Sequence, residues 1–117
     1  MSKDRYKWQS WGRVDKVYQE AVTIDSRHKD LPHSNENSSL PYGLGRSYGD
    51  SCLNEGGQIL VTQKLDKIIS FDRETGHIRC ESGISLEELL EIIVPAGWFL
   101  PVSPGTKFIT VGGAVAN

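Results

Sequence analysis

The sequence carries no basic excess. Its 13 lysines and arginines stand against 15 aspartates and glutamates, for a net charge of -2. Without a basic footprint there is little to hold a phosphate backbone, which argues against nucleic acid as a partner. Cysteine is scarce as well. Cys52 and Cys80 are the only two, which excludes a secreted disulfide scaffold and leaves a single bridge open. No Cys-x-x-Cys and no histidine-rich spacing offers a metal site. Residues 1–9 lack the apolar core of a signal peptide, and no apolar run reaches the ~20 residues of a membrane span. The expected location is therefore cytoplasmic, with no integral membrane segment. No Gly-Lys-Ser or Gly-Lys-Thr occurs, so the P-loop is absent.

Glycine, by contrast, is plentiful, with 12 in 117 residues. It gathers in two segments that mix glycines with hydroxyls and follow apolar stretches. One is Pro41-Tyr42-Gly43-Leu44-Gly45-Arg46-Ser47-Tyr48-Gly49-Asp50. The other is Pro104-Gly105-Thr106-Lys107-Phe108-Ile109-Thr110-Val111-Gly112-Gly113-Ala114. Diphosphate oxygens need several short hydrogen bonds and little bulk around them. Glycines let backbone amides turn inward and form an anion nest. Gly43, Gly45 and Gly49 are candidates for that nest, with Leu44 between them. Ser47 adds a hydroxyl donor. Arg46 adds charge for a phosphate or for a salt bridge. Tyr48 packs against a ring system or fills core. Asp50 accepts backbone amides and fixes the loop. In the second segment Gly105, Thr106, Thr110, Gly112 and Gly113 repeat the logic, and Gly112-Gly113-Ala114 lets a flat ligand lie against backbone. Either segment alone reads as a set of tight turns. Two of them, separated by a capped helix, point to a ligand site.

The elements between follow from local pattern. Val17, Tyr18, Ala21, Val22 and Ile24 predict a short helix within residues 16–30, followed by a polar loop over 30–39. Leu40–Tyr42 and Ile59–Thr62 read as strands. Residues 68–72 and 77–81 read as a hairpin turned by Arg73-Glu74-Thr75-Gly76. Ser85 and Glu88 form a capping box. Leu86, Leu89, Leu90, Ile93 and Val94 then make an apolar stripe at helical spacing, ended by Pro95-Ala96-Gly97. Trp98–Val102 predicts a returning strand. His28, His33 and His77 read as solvated. Trp8 and Trp11 read as a clip onto the domain surface, or as a contact for a further part of the protein.

This order predicts an α+β unit, a small mixed sheet with flanking helices. Residues 1–39 form an N-terminal segment and residues 40–117 the ligand-binding part. The spacing Gly43-x-Gly45-x-x-x-Gly49, with no helix after it, excludes a Rossmann fingerprint.

From Leu40 to Asn117 the chain resembles the FAD-binding domain of the vanillyl-alcohol oxidase family, also called the p-cresol methylhydroxylase type. The segment from Pro41 to Asp50 resembles that family's first pyrophosphate loop. Pro104-Gly105-Thr106 with Thr110–Ala114 resembles its second flavin-contacting stretch. Within the family the likeness lies toward the decaprenylphosphoryl-ribose 2′-oxidases and the sugar and aldonolactone oxidases, which Trp11-Gly12-Arg13 also fits. The resemblance implies the first subdomain of the FAD domain, cut short within its second flavin loop. The cut is expected to be engineered.

It also implies a flavin-dependent oxidoreductase that, at full length, oxidises an alcohol on a sugar-like small molecule. Many members attach FAD through a histidine in the first loop. Arg46 stands in that place, which implies non-covalent FAD. No residue reads as the catalytic base. Two other readings stay open: a non-redox nucleotide or phosphate-binding module, and an inactive fragment that self-associates through an exposed apolar face.

Overall fold

The computed structural model describes residues 19–32, 38–47, 51–102 and 104–116. The expectations for Trp8, Trp11, Gly12, Arg13, His33, Tyr48, Gly49, Asp50 and Asn117 lie outside the described residues.

Three short strands form a parallel sheet in the order β1 (Glu20–Thr23), β3 (Gln58–Val61), β2 (Ser39–Tyr42). The central strand explains the sheet. Ile59, Leu60 and Val61 are an unbroken apolar run, all buried, as a strand covered on both faces requires. Alternate amides of the β3 region serve opposite neighbours. Gln58 N and Thr62 N donate to Ser38 O and Tyr42 O, at 3.0 and 3.1 Å, while the Val61 carbonyl accepts from Ile24 N at 2.9 Å. Pro41 is tolerated in β2 because β2 is an edge strand. Its missing N–H falls on the side away from β3. Asn54 closes the start of the sheet, donating through Nδ2 to Ser38 O and Gln58 O at 3.0 Å each.

The helix expected within residues 16–30 is not formed in the described part, which instead supplies β1. Val22, Thr23 and Ile24 are β-branched and weak helix formers. The free edge of β3 gives their backbone a ladder with Ala21 opposite Ile59. A tertiary partner thus overrides a partial helical spacing.

The hairpin is observed as expected, with β4 (Ile68–Phe71) antiparallel to β5 (Ile78–Cys80). Its turn is set by Asp72, whose Oδ1 accepts from Glu74 N at 2.9 Å and Thr75 N at 3.2 Å, and by Gly76 at φ +79°. His28 and His77 are exposed, as read.

Helix α1 (Leu86–Ile93) begins with the full capping box of Ser85 and Glu88. Leu86, Leu89 and Ile93 bury against Ile68, Phe71 and Ile78 of the hairpin. Val94, expected on that stripe, is 49% exposed. It lies about 80° round the helix from Leu86 and sits at the C-cap. The helix closes with a Schellman pair, Trp98 N to Ile93 O at 3.0 Å and Gly97 N to Val94 O at 2.9 Å, with Gly97 at φ +88°.

The strand expected over Trp98–Val102 is absent. Alternation is there, since Trp98 and Leu100 pack inward while Phe99 is 65% exposed. No ladder partner accompanies it among the described residues. Trp98 instead caps the hairpin turn, donating from Nε1 to Arg73 O at 2.8 Å. A short helix, α2 (Val111–Ala116), ends the described chain.

The two sheets are tied beside Glu81, whose side chain is only 4% exposed. One carboxylate oxygen lies 3.0 Å from Arg27 Nη1, and the other accepts from Lys67 N at 2.9 Å. Burial alone would raise this carboxyl. The Arg27 and Lys67 hydrogen bonds, with the charges of the same two residues, outweigh burial and hold it below its ordinary 4.5. The stabilisation is therefore present above the unfolded value and is lost as pH falls through the lower folded value. Glu81→Gln is expected to lower the melting temperature at neutral pH and to flatten its fall on acidification below about pH 4.5. The flattening is partial, because amides of Thr75 and Glu74 also lower Asp72. Melting curves from pH 7 to pH 3 check this, and an unchanged acid limb contradicts it.

Candidate functional site

The first glycine segment leaves the carboxyl end of β2, where parallel sheets open their ligand crevices. Tyr42 is buried, and its carbonyl accepts from both Thr62 N and Thr62 Oγ1. The chain then turns through Gly45, buried and at φ +67°, a backbone geometry costly for residues with a Cβ. Two carbonyls of the turn are held by side chains. Gln63 Nε2 donates to Gly43 O at 2.6 Å, and Arg46 Nη1 donates to Leu44 O at 2.8 Å. The amides of Gly43, Leu44 and Gly45 meet no protein acceptor among the described residues. Unpaired successive amides around a left-handed glycine have the composition of an anion nest.

The second segment is placed by the start of α1. Two of that helix's otherwise unpaired amides, Leu86 N and Glu87 N, donate to Ile109 O and Lys107 O at 2.9 and 3.1 Å. Lys107 Nζ adds an ion pair to Glu87 at 3.3 Å. Thr110 bridges to Ser85 and caps α2, its Oγ1 accepting from Gly113 N at 3.1 Å. Val111 N and Gly112 N donate to Ile84 O and Ser82 O, each at 2.9 Å. The first amides of α2 are thus consumed within the protein. The second segment contributes Gly112 and Gly113 beside Ile109 and Thr110, and the first contributes the donors that meet no acceptor among the described residues.

The two segments touch. A Cβ on Gly43 would lie 2.6 Å from Thr110 Oγ1. Between them lies a cavity of about 540 Å³, within the usual range for small-molecule sites. Eight of the residues singled out from sequence line it: Gly43, Leu44, Gly45, Arg46, Ser47, Thr110, Gly112 and Gly113. Tyr48 is outside the described residues. Gly105 and Thr106 are exposed and do not line the cavity. Thr106 shapes its own turn by accepting from Phe108 N at 3.1 Å.

Cys52, Thr62 and Ser82 also line the cavity and were not read from sequence. Arg46 is the one charged residue in the described lining, so the field inside favours an anion. A hollow of about 450 Å³ on the hairpin is lined by Ser70, Asp72, His77 and Arg79, among others, and shares no residue with either glycine segment. Among the described residues no group of three or more metal-ligating side chains is assembled.

Residues 31–117 match a family described as FAD binding domain. The chain belongs to this FAD-binding domain family. The resemblance to the vanillyl-alcohol oxidase type is borne out by the relatives. The decaprenylphosphoryl-β-D-ribose oxidase of Mycolicibacterium smegmatis is 44% identical over 73 residues, 62% of this chain and 16% of that protein. The D-lactate dehydrogenase of Anaerostipes hadrus is 31% identical over 88 residues, 74% and 18% respectively. The glycolate oxidase subunit GlcD of Bacillus subtilis is 27% identical over 96 residues, 80% and 19% respectively. The chain thus spans less than a fifth of the length of each of these relatives. Among the described residues no helix is long and apolar enough to cross a membrane.

The FAD-binding family and the cavity agree chemically. A diphosphate needs amide donors and a positive neighbour; the amides of Gly43–Gly45 meet no acceptor among the described residues, and Arg46 lines the same cavity. A flat ring needs a wall without projecting side chains, and Gly112 and Gly113 form one.

Proposed function

We propose that the cavity between the two glycine-rich segments takes the diphosphate of a non-covalently bound FAD, and that the whole protein oxidises an alcohol group on a sugar-like substrate. The observation that carries this reading is the meeting of Gly43–Ser47 with Thr110–Gly113 around one cavity. In this reading the amides of Leu44 and Gly45 and the hydroxyl of Ser47 donate to phosphate oxygens. Arg46 supplies positive charge while its bond to Leu44 O keeps the turn closed. Gly112 and Gly113 offer a flat wall, and Thr110 holds that wall against Gly43. Thr106 supports the wall from outside by shaping the turn before it, and Gly105 stands beside it. FAD, when bound, accepts the hydride equivalent taken from the alcohol.

The sugar-like substrate is supported by the higher identity to the ribose oxidase than to the D-lactate and glycolate enzymes. All three printed names are compatible with removal of hydrogen from a hydroxyl-bearing carbon. Non-covalent attachment is supported by Arg46, which stands where the attaching histidine of many relatives would be.

The test is a visible spectrum of the purified chain after FAD is added and excess is removed, followed by acid precipitation. The reading predicts flavin absorbance in the protein fraction and its complete release into the acid supernatant. Colour that stays with the precipitate contradicts the non-covalent reading. A protein that takes up ADP and FAD alike, but leaves riboflavin free, favours a general nucleotide-binding module.

A further inference from the structure

Gln63 has no part in any motif, yet it makes the shortest hydrogen bond recorded for the first glycine turn, 2.6 Å from its Nε2 to Gly43 O. It lies two residues beyond the end of β3 and is partly buried. It does not line the cavity, whereas Gly43 and Leu44 both do. The Gly43 carbonyl is therefore drawn toward a side chain outside the cavity lining. The described peptide bonds are all trans, and in a trans peptide the carbonyl and the following N–H point opposite ways. Pinning Gly43 O thus sends the Leu44 N–H to the side away from Gln63. Glycine, lacking a Cβ, is the residue whose peptide flips most readily. A flipped Gly43–Leu44 peptide would offer a carbonyl oxygen, not a donor, to an anion.

We infer that Gln63 is a positioning residue for the diphosphate: it locks the Gly43–Leu44 peptide in the orientation that leaves the Leu44 amide free to donate. The inference rests on the FAD reading above and adds a residue that touches no ligand. It also assigns a reason for the unpaired amide, which glycine content alone does not supply.

The experiment compares wild type with Gln63→Met, which keeps length and apolar stem but removes the donor, using FAD and riboflavin as paired probes. Riboflavin lacks the diphosphate, so a packing defect alters both affinities and a lost nest donor alters only one. The expected result is FAD binding weakened about tenfold, with riboflavin binding unchanged and the melting temperature lowered by only a few degrees, as the loss of one part-buried hydrogen bond requires. Should that variant not fold, Gln63→Asn, one methylene too short to reach Gly43 O, takes its place.

Equal FAD affinity in variant and wild type overturns the role of Gln63 and leaves the flavin reading standing. A parallel loss of FAD and riboflavin overturns it in favour of packing. If wild type takes up no FAD, the flavin reading fails. The same comparison is then made with inorganic pyrophosphate, where a loss of about tenfold on substitution supports the inference. Absence of pyrophosphate binding in wild type overturns it.

Discussion

Gly83→Ala is expected to destabilise the folded state of this chain severely. A Cβ built on Gly83 would overlap Thr62 O and lie 2.7 Å from Leu65 O. Both are backbone atoms, so no change of rotamer gives way. Neither strand of chain is free to retreat. Gly83 N donates to Leu65 O at 2.7 Å, Thr62 N donates to Tyr42 O at 3.1 Å, and Ser82 O holds the Gly112 amide at 2.9 Å. The contact joins the end of the parallel sheet to the segment that cradles the second glycine stretch.

Overpacking ordinarily costs about 1–3 kcal/mol, and a fixed backbone contact lies at or above the upper end. A domain of this size has about 5–15 kcal/mol of net stability. The expected outcome is a fall in melting temperature of at least about 12 °C, or no cooperative transition at all. Thermal melts followed by far-ultraviolet circular dichroism check it. A variant that melts within about 2 °C of wild type, well under the shift that 1 kcal/mol produces, contradicts the close approach.

Gly43→Val is expected to leave the fold largely intact and to remove flavin binding. Here the obstructing atoms belong to a side chain, Thr110 Oγ1 at 2.6 Å and Cγ2 at 3.0 Å from the added Cβ. Thr110 can turn away only by releasing the Gly113 amide that it caps, at a cost of about 1 kcal/mol. The valine methyls then enter the space between the two segments. The melting temperature should fall by a few degrees, while FAD affinity falls about a hundredfold, or about 2.7 kcal/mol. Fluorescence titration with FAD measures the second effect. Undiminished affinity in a folded variant would show that the ligand does not pass between these segments.

The contrast between these two glycines explains what was legible in the sequence. Gly43 sits in a run of glycine and hydroxyl residues, and its neighbourhood advertised a ligand site. Gly83 is a lone glycine ahead of the Ser85 capping box, and nothing local marks it. Its necessity comes from Thr62 and Leu65, some twenty residues away in sequence. Gln63 was hidden for the same reason, since its partner Gly43 lies twenty residues away, in the turn after β2.

The capping box, the hairpin turn at Gly76 and the buried run Ile59–Val61 were readable because capping, turning and two-sided burial are written into adjacent residues. The strand at Glu20–Thr23 was not, because its ladder partner β3 decides against a spacing that is only partly helical. Trp98–Val102 was read as a strand and forms none, since alternation without a neighbouring edge makes no strand. At the site, sequence alone could not divide the work between the two segments. The hydrogen bonds do. The amides that open α2 are spent on Ile84, Ser82 and Thr110, while those of Gly43–Gly45 meet no acceptor among the described residues.

The most direct measurement is a titration of the ¹⁵N-labelled chain with FAD, followed through its backbone amide signals. The account predicts the largest shifts at Leu44 and Gly45, with accompanying shifts at Gly112 and Gly113, and little change at Ser70–Arg79 on the hairpin. Shifts concentrated on the hairpin hollow, or none anywhere, would contradict the claim that the two glycine segments form the flavin site.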